Sequence, residues 1–116
     1  MSSYKDLIVW KKSINLVTEI YTVTAALPTE EKFGLVSQMR RSAVSIPSNI
    51  AEGRRRNSQK EYKQFLAIAY GSGAELETQI EIVKRLPFGS TIEFRNTDFL
   101  LLEVMKMLNV MVSRLD

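Results

Sequence analysis

Hydrophobic residues recur at spacings of three and four along this chain, which is the period of an α-helix that buries one face. The first such stretch carries two stripes on adjoining faces of one helix. One stripe is Leu7, Trp10, Ile14, Val17 and Tyr21, and the other is Val9, Leu16, Ile20, Val23 and Leu27. Three further stretches repeat the helical spacing, and no strand pattern competes with them. The pattern therefore predicts an all-α protein with four helices.

Two prolines interrupt the first half of the chain. Pro28 is predicted to stop the first helix, and Thr29 to cap the second, with Glu30 in the first turn where the helix dipole favours negative charge. The second helix is predicted to run to about Glu52. Pro47 falls inside it, and its missing backbone donor predicts a kink near that residue. A clean break into two shorter helices is the alternative.

The third helix is predicted to run from Ser58 to about Leu86. It carries stripes of small residues at helical spacing, which would let a neighbouring helix approach closely. These residues are Ala67, Gly71 and Ala74, together with Ala69 and Gly73. The run from Gly71 to Gly73 also has two glycines of a nucleotide-binding loop, but no strand precedes it and the third glycine is missing. Helix packing is therefore the favoured interpretation.

The fourth helix is predicted to follow a turn at Pro87 and to open with a capping box formed by Ser90 and Glu93. Eleven of the fourteen residues from 99 to 112 are apolar, which leaves only a narrow polar track. A helix of a small monomeric bundle buries one stripe, so the remaining faces of this helix need a cover. We predict that a second copy of the chain provides it. A monomer with a fully central fourth helix is the alternative.

A turn with three consecutive arginines, residues 54–56, separates the second helix from the third. Gly53 is predicted to end the second helix in the left-handed conformation, and the spacing of Ser58 and Glu61 predicts a capping box that begins the third. The three guanidinium groups would then lie beside a helix N-terminus, whose free N–H groups attract anions. The turn therefore predicts a phosphate-binding site.

The distribution of charge supports the same hypothesis. The formal net charge is +3 and the pI is near 9.3, but residues 40–63 carry seven cations and two carboxylates, an excess of +5. A regional excess of this kind favours a polyanionic partner. The candidate nucleic-acid-binding residues are Arg54, Arg55, Arg56, Lys60 and Lys63, with Arg40 and Arg41 as a second and more distant contribution. Tyr62 is the obvious aromatic residue near the turn for stacking on a base.

Missing residue types exclude several classes of function. The chain has no cysteine, hence no disulfide and no thiolate nucleophile, which fits a reducing cytoplasm. It has no histidine, which excludes the common zinc sites and the usual general base. No N-terminal stretch has the pattern of an export signal, and the longest apolar-rich segment is too short to span a bilayer. We expect one domain, residues 1–116, with no cofactor, metal, enzymatic activity or membrane association.

Three runs of sequence resemble a known family. They are Asp6 to Lys11 (DLIVWK), Phe33 to Gly53 (FGLVSQMRRSAVSIPSNIAEG), and Phe65 to Ser72 (FLAIAYGS) followed by Glu75-Leu76-Glu77. On these runs the chain is similar, over nearly its whole length, to the bacterial four-helix-bundle proteins first noticed as reading frames inside intervening sequences of large-subunit ribosomal RNA genes. The chain departs from the usual pattern at residues 54–56, where an aromatic residue and a glycine are more familiar, and at Gly73, where a larger residue is common.

The resemblance implies an antiparallel up-and-down four-helix bundle that assembles as a ring, commonly a pentamer. The accessory variability protein of diversity-generating retroelements looks like a relative, and it is a basic ring that binds a reverse transcriptase and nucleic acid. No catalytic residues come with the family.

Two hypotheses follow. In the first, a homo-oligomer, expected to be a pentamer, binds RNA or DNA mainly through backbone phosphates. In the second, the chain is a scaffold or adaptor for a protein partner, such as a nucleic-acid-processing enzyme, without direct contact to nucleic acid. The arginines would then complement the dipole at the end of the second helix or pair with acidic residues of a neighbouring subunit. Glu75, Glu77 and Glu81 offer such an acidic surface.

Overall fold

Four α-helices make up most of the computed structural model, which describes residues 3–115. They are α1 (Ile8–Thr24), α2 (Ser37–Arg54), α3 (Gln59–Arg85) and α4 (Arg95–Arg114). Short 3-10 turns lie at Tyr4–Asp6, Thr29–Glu31 and Pro87–Gly89, and a π-helical turn at Lys32–Val36 leads into α2. The predicted all-α, four-helix architecture is confirmed.

The helices run alternately up and down a body of 46 × 22 × 21 Å. Each helix contacts the next one in sequence, and α1 also contacts α4, which closes the bundle. A hydrogen bond between the hydroxyls of Ser45 and Ser72 (2.8 Å) fixes the register of α2 against α3. Ion pairs join Lys12 of α1 to Glu103 of α4 (3.1 Å) and Lys84 of α3 to Asp98 of α4 (2.6 Å).

The bundle core selects one of the two apolar stripes of α1. The stripe that begins at Val9 and ends at Leu27 is buried along its whole length. The other stripe, which begins at Leu7, is only partly buried, and its Trp10 and Val17 line a shallow groove beside Pro47 of α2. The helical period predicted both stripes, but only the packing of the other helices decides which stripe faces inward.

One face of α4 stays open to solvent. Leu101, Val104 and Leu108 are buried against the other helices, whereas Phe99 is 59% exposed and Leu102 is 53% exposed. The alternative of a fully central fourth helix is therefore wrong for the single chain. An uncovered apolar face remains on this helix.

Helix α2 continues through Pro47, so the alternative of two shorter helices is wrong. The amide of Asn49 donates to the carbonyl of Ser45 (2.8 Å) and to its hydroxyl (2.9 Å), close to the proline. Side-chain donors of this kind stabilise a helix where a proline disturbs the backbone ladder. The kink at Pro47 stays a prediction.

Two predicted helix starts are wrong. Thr29 does not cap α2, because a 3-10 turn and a π turn delay the helix until Ser37. Ser90 and Glu93 do not open α4, which begins only at Arg95. The Ser90 hydroxyl instead donates to the carbonyl of Pro87 (3.1 Å), within a 3-10 turn at Pro87–Gly89.

The predicted bounds of the third helix are confirmed within a residue, with Ser58 as its N-cap. The small residues of this helix divide between two environments. A Cβ at Gly73 would collide with the sulfur of Met105 of α4, so this glycine permits close helix packing. Gly71 has open space around it and faces solvent. Across residues 3–115, the helices are each too short or too polar to cross a membrane.

Candidate nucleic-acid interface at the arginine end

The turn between α2 and α3 is built from backbone hydrogen bonds and one side-chain cap. Arg54 is the last residue of α2, and the N–H groups of Arg55 and Arg56 still donate to carbonyls of the preceding turn. The Ser58 hydroxyl accepts from the N–H of Glu61 (3.1 Å), which begins α3. The Ser58 half of the predicted capping box is confirmed, whereas the Glu61 carboxylate lies near Arg56. Arg54 lies on the helix rather than on the connection.

Gly53 does not end α2 in the left-handed conformation, because it has helical geometry and no described glycine has a positive φ. Its role is to allow close packing. A Cβ at Gly53 would lie 2.7 Å from the Cβ of Phe65 and 3.3 Å from the carbonyl oxygen of Tyr62. The glycine therefore brings the end of α2 against the first turns of α3, which holds the arginines close to the α3 N-terminus.

Arg56 is held by the protein itself. Its guanidinium lies 3.1 Å from the Glu52 carboxylate and 3.9 Å from that of Glu61, and it covers the ring of Phe65 at 4.9 Å. Two carboxylates neutralise most of this charge, and the contacts join α2 to α3. Arg56 therefore stabilises the turn between α2 and α3 and is a poor candidate for a phosphate ligand.

Arg55 is exposed and stacks against the N-terminal segment. Its guanidinium lies 5.4 Å from the centre of the Tyr4 ring. A capping box holds Tyr4 in place: the Ser3 hydroxyl accepts from the N–H of Lys5 (3.1 Å), and the Asp6 carboxylate accepts from the N–H of Ser3 (3.1 Å). Arg55 keeps its donors towards solvent while an aromatic ring limits the freedom of its side chain.

The first turns of α3 carry the remaining residues of this site. Lys60 is exposed and Lys63 is half-buried on consecutive turns. Tyr62 packs partly against the core, and its burial raises the pKa of its hydroxyl, an effect that the nearby Arg54 charge opposes. The ring is therefore not presented for stacking on a base in the way that the sequence predicted.

Arg40 and Arg41 lie at the other end of the bundle. The Arg40 guanidinium donates to the Thr24 hydroxyl (2.9 Å) and to the carbonyl of Tyr21 (3.3 Å), and it covers the Tyr21 ring at 4.4 Å. Arg40 thus stabilises the end of α1 and is already engaged. Arg41 is exposed, but the helical rise puts it roughly 20 Å from Arg54 along α2. The seven predicted residues do not form one site.

The fold instead gathers a different set of cations. The end that contains the N-terminus of α1, the α2–α3 turn and the C-terminus of α4 is called here the arginine end. Among residues 3–115 it holds nine cations and three carboxylates, a net charge of +6. The cations are Lys5, Lys11, Lys12, Arg54, Arg55, Arg56, Lys60, Lys63 and Arg114, and the carboxylates are Asp6, Glu52 and Glu61.

The opposite end holds six cations and eight carboxylates, a net charge of −2. Glu103, which pairs with Lys12 of the arginine end, and Lys106 lie between the two ends, and their charges cancel. Sequence reasoning missed Lys5, Lys11, Lys12 and Arg114, because each is remote from the turn along the chain. Only the antiparallel order of the helices brings them to it. Across residues 3–115 no group of acidic side chains could hold a metal ion.

Comparison with known proteins agrees with this architecture. The chain matches the family model described as 23S rRNA-intervening sequence protein over residues 5–110. The chain belongs to this family. The match begins before α1 and ends within α4, so it includes three helices completely and most of the fourth. No curated protein matches the chain.

Proposed function

We propose that this protein is a non-enzymatic homo-oligomer that binds RNA or DNA through the arginine end, mainly by contacts to backbone phosphates. The observation that carries the proposal is the separation of charge among residues 3–115, +6 at one end and −2 at the other. A concentrated basic surface attracts a polyanion over the Debye length and releases its counterions on binding. The family description names no ligand, so RNA and DNA are both to be tested.

The contacts of the individual residues set the expected mode of binding. Arg55 and Lys60 are exposed and supply the direct phosphate contacts, with Lys63 beside them on α3. Arg56 contributes less, because two carboxylates already hold it. Tyr62 is half-buried, so base stacking is a minor contribution. We therefore expect little sequence specificity, since phosphate contacts position a protein without reading the bases.

The assembly part of the proposal is supported by the exposed apolar side chains. Phe99 and Leu102 on α4 and Phe33 before α2 are all more than half exposed. Exposed apolar patches mark interaction sites, and a second copy is the simplest partner for a short chain. We propose a closed ring, with five subunits as the first number to test. Such a ring would repeat the arginine end around one rim and so multiply the charge that a nucleic acid meets.

A salt titration tests the nucleic-acid part. The wild-type protein should bind a generic single-stranded RNA or duplex DNA at low salt, with an affinity that falls steeply as salt rises. Replacing Arg54, Arg55 and Arg56 with alanine should reduce the slope of log K against log salt by about 1 to 2, because each lost phosphate contact removes about 0.9 from the slope and Arg55 supplies the direct contact among the three. Fluorescence anisotropy measures both quantities. Absence of binding at low salt would overturn this part of the proposal.

The contacts of Arg56 also favour a second candidate function. A guanidinium that already binds two carboxylates has less charge to offer a phosphate, and an adaptor for a protein partner needs no phosphate contact. In that case the uncovered apolar side chains would bind the partner. Two results together would support the adaptor function instead. The wild type would bind no nucleic acid, and the triple-alanine variant would still bind a nucleic-acid-processing enzyme.

A further inference from the structure

Phe33 is the most exposed of the large hydrophobic side chains in residues 3–115, at 88%. An isolated exposed apolar residue needs no explanation. This one is unusual because it does not lie on a loose loop. It belongs to the π-helical turn Lys32–Val36, which is joined directly to α2.

The local structure holds Phe33 outward. The Glu31 carboxylate accepts from the N–H of Leu35 (3.3 Å). This hydrogen bond joins the residues before and after Phe33 and so stabilises the turn. Gly34 departs from helical geometry inside the turn, with φ −107° and ψ −110°. Val36 and Leu35 pack towards the core while Phe33 faces away from it. The ring is therefore presented by a fixed backbone and loses little freedom when it binds a partner.

A groove on another side of the same chain has the size and lining to receive such a ring. It lies between α3 and α4, has a volume of about 700 Å³, and has an apolar floor that includes Ile80, Ile82, Leu101 and Leu102. Leu102 and Ile82 are themselves exposed, so the groove is uncovered in the single chain. Phe33 of the same chain does not fill it, since its ring is almost completely exposed.

The two features lie at the same level along the bundle. The Ser45–Ser72 hydrogen bond sets the register of α2 against α3, and Phe33 lines a shallow depression together with Glu75 and Gln79 of α3. The groove extends along α3 from Glu77 to Arg85. In a cyclic assembly whose axis runs along the bundle, every copy stands at the same height. Phe33 of one copy would then meet the groove of the next without any shift along the axis.

Charge also matches across the proposed contact. The depression on the α1 side of Phe33 is lined by Lys32, Arg40 and Arg41 and by no carboxylate. The groove is rimmed by Glu77, Glu81 and Asp98, with Lys84 and Arg85 as the balancing cations. The depression on the α3 side of Phe33 contains Arg41 and one carboxylate, Glu75. Cations therefore remain in excess around the ring, whereas carboxylates are in excess on the groove rim, which favours this pairing over contact between two copies of either surface.

We infer that Phe33 of one copy inserts into the α3–α4 groove of a second copy, so that each subunit offers the ring on one side and the groove on another. Such a contact is heterologous, and it closes into a ring when the rotation between subunits allows. The inference rests on the assembly part of the proposed function. It names the residue and the pocket that make the assembly.

Phe33→Ala is the decisive variant, because the exposed ring contributes little to folding. At micromolar concentration, light scattering behind a sizing column should show a lower mass per particle than for the wild type. The dissociation constant of the assembly should be at least about tenfold higher. Ile8→Ala is the matched control: Ile8 is also an exposed apolar residue, at 61%, but it lies at the arginine end. The control should assemble like the wild type.

A mixing experiment tests the heterologous geometry. Phe33→Ala keeps the groove and loses the ring, whereas Leu102→Asp keeps the ring and places a charge in the groove. Each variant alone should be unable to form the ring assembly, but a mixture of the two should form heterodimers through one intact contact. Circular dichroism checks that both variants fold.

The outcomes separate this inference from the assembly on which it rests. If the wild type is a monomer, the assembly itself is wrong. If the wild type assembles and Phe33→Ala assembles equally well, only the role of Phe33 is wrong. If Phe33→Ala keeps the assembly but loses affinity for RNA, the ring stacks on a base instead, and the inference is overturned.

Discussion

The arginine end and the opposite end of this bundle are built from the same helices but differ in charge and in surface. The arginine end has a net charge of +6 among the described residues and few exposed apolar side chains. The opposite end has a net charge of −2 and carries Phe33 and most of the groove between α3 and α4. The difference separates two tasks: the basic end is suited to a polyanion, and the other to a second copy of the chain.

The comparison also shows that residue type alone does not assign a role. Arg40 and Arg56 both lie within the basic run of the sequence, but each is bound by its own protein, Arg40 to the end of α1 and Arg56 to two carboxylates. Arg41 and Arg55 are exposed, at opposite ends. The next four predictions test whether the two ends differ as proposed.

The largest effect is expected from charge reversal at the arginine end. Arg55→Glu combined with Lys60→Glu should lower the affinity for RNA roughly a hundredfold at about 0.1 M salt, because two phosphate contacts are lost. Arg95→Glu combined with Lys106→Glu is the matched control, since it changes the net charge equally outside the arginine end and avoids the surfaces proposed for assembly. Anisotropy titrations of both variants measure the difference. Equal losses would mean that total charge, and not the arginine end, drives binding.

A second prediction compares two glycines of the same helical pair. Gly53→Ala should destabilise the fold by about 1–3 kcal/mol, because the new Cβ would lie 2.7 Å from the Cβ of Phe65, which cannot move without the α3 backbone. Gly71→Ala should stabilise by up to about 1 kcal/mol, because this position is helical and open. Urea denaturation gives both values. If Gly53→Ala left the free energy of unfolding unchanged, the turn would be loosely packed and the prediction would be wrong.

A third prediction contrasts two engaged arginines. Arg40→Ala should lower the free energy of unfolding by about 1–2 kcal/mol, because two acceptors at the end of α1 lose their charged donor. Arg56→Ala should cost less, at most about 1 kcal/mol, because its ion pairs are partly exposed. Arg40→Lys should not restore the loss, since lysine lacks the forked geometry. Thermal unfolding of the three variants measures these losses of stability. A larger loss for Arg56→Ala than for Arg40→Ala would contradict the prediction.

The smallest effect concerns Tyr62. Burial raises the pKa of its hydroxyl above the ordinary value of 10.0, so the unfolded chain releases this proton at lower pH than the folded chain does. Stability from this group is therefore complete below about pH 10 and is lost as pH rises through the folded pKa. Tyr62→Phe should lose less stability between pH 8 and about pH 10.5 than the wild type does. Identical pH profiles in urea denaturation would contradict this expectation.

Helical spacing and capping residues determined much of the architecture by themselves. The period of the apolar positions predicted four helices, and Ser58 marked the start of α3, because both signals depend on neighbours within a few residues along the chain. The same local reasoning failed at Gly53, Thr29 and Ser90. At Gly53 the close approach of Phe65 of α3, and not a left-handed conformation, requires the glycine, and at the other two positions short 3-10 and π turns replaced the expected caps.

Tertiary structure alone decided how the charges are arranged. The sequence placed Arg40 at a distance from Arg54, but it did not show that the Arg40 guanidinium is bound to the end of α1. Lys5 and Arg114 are more than one hundred positions apart in the sequence, yet the up-and-down order of the helices brings both to the arginine end. Periodicity is a local property and can be read from the chain, whereas the neighbours of a side chain across the bundle exist only once the helices have packed.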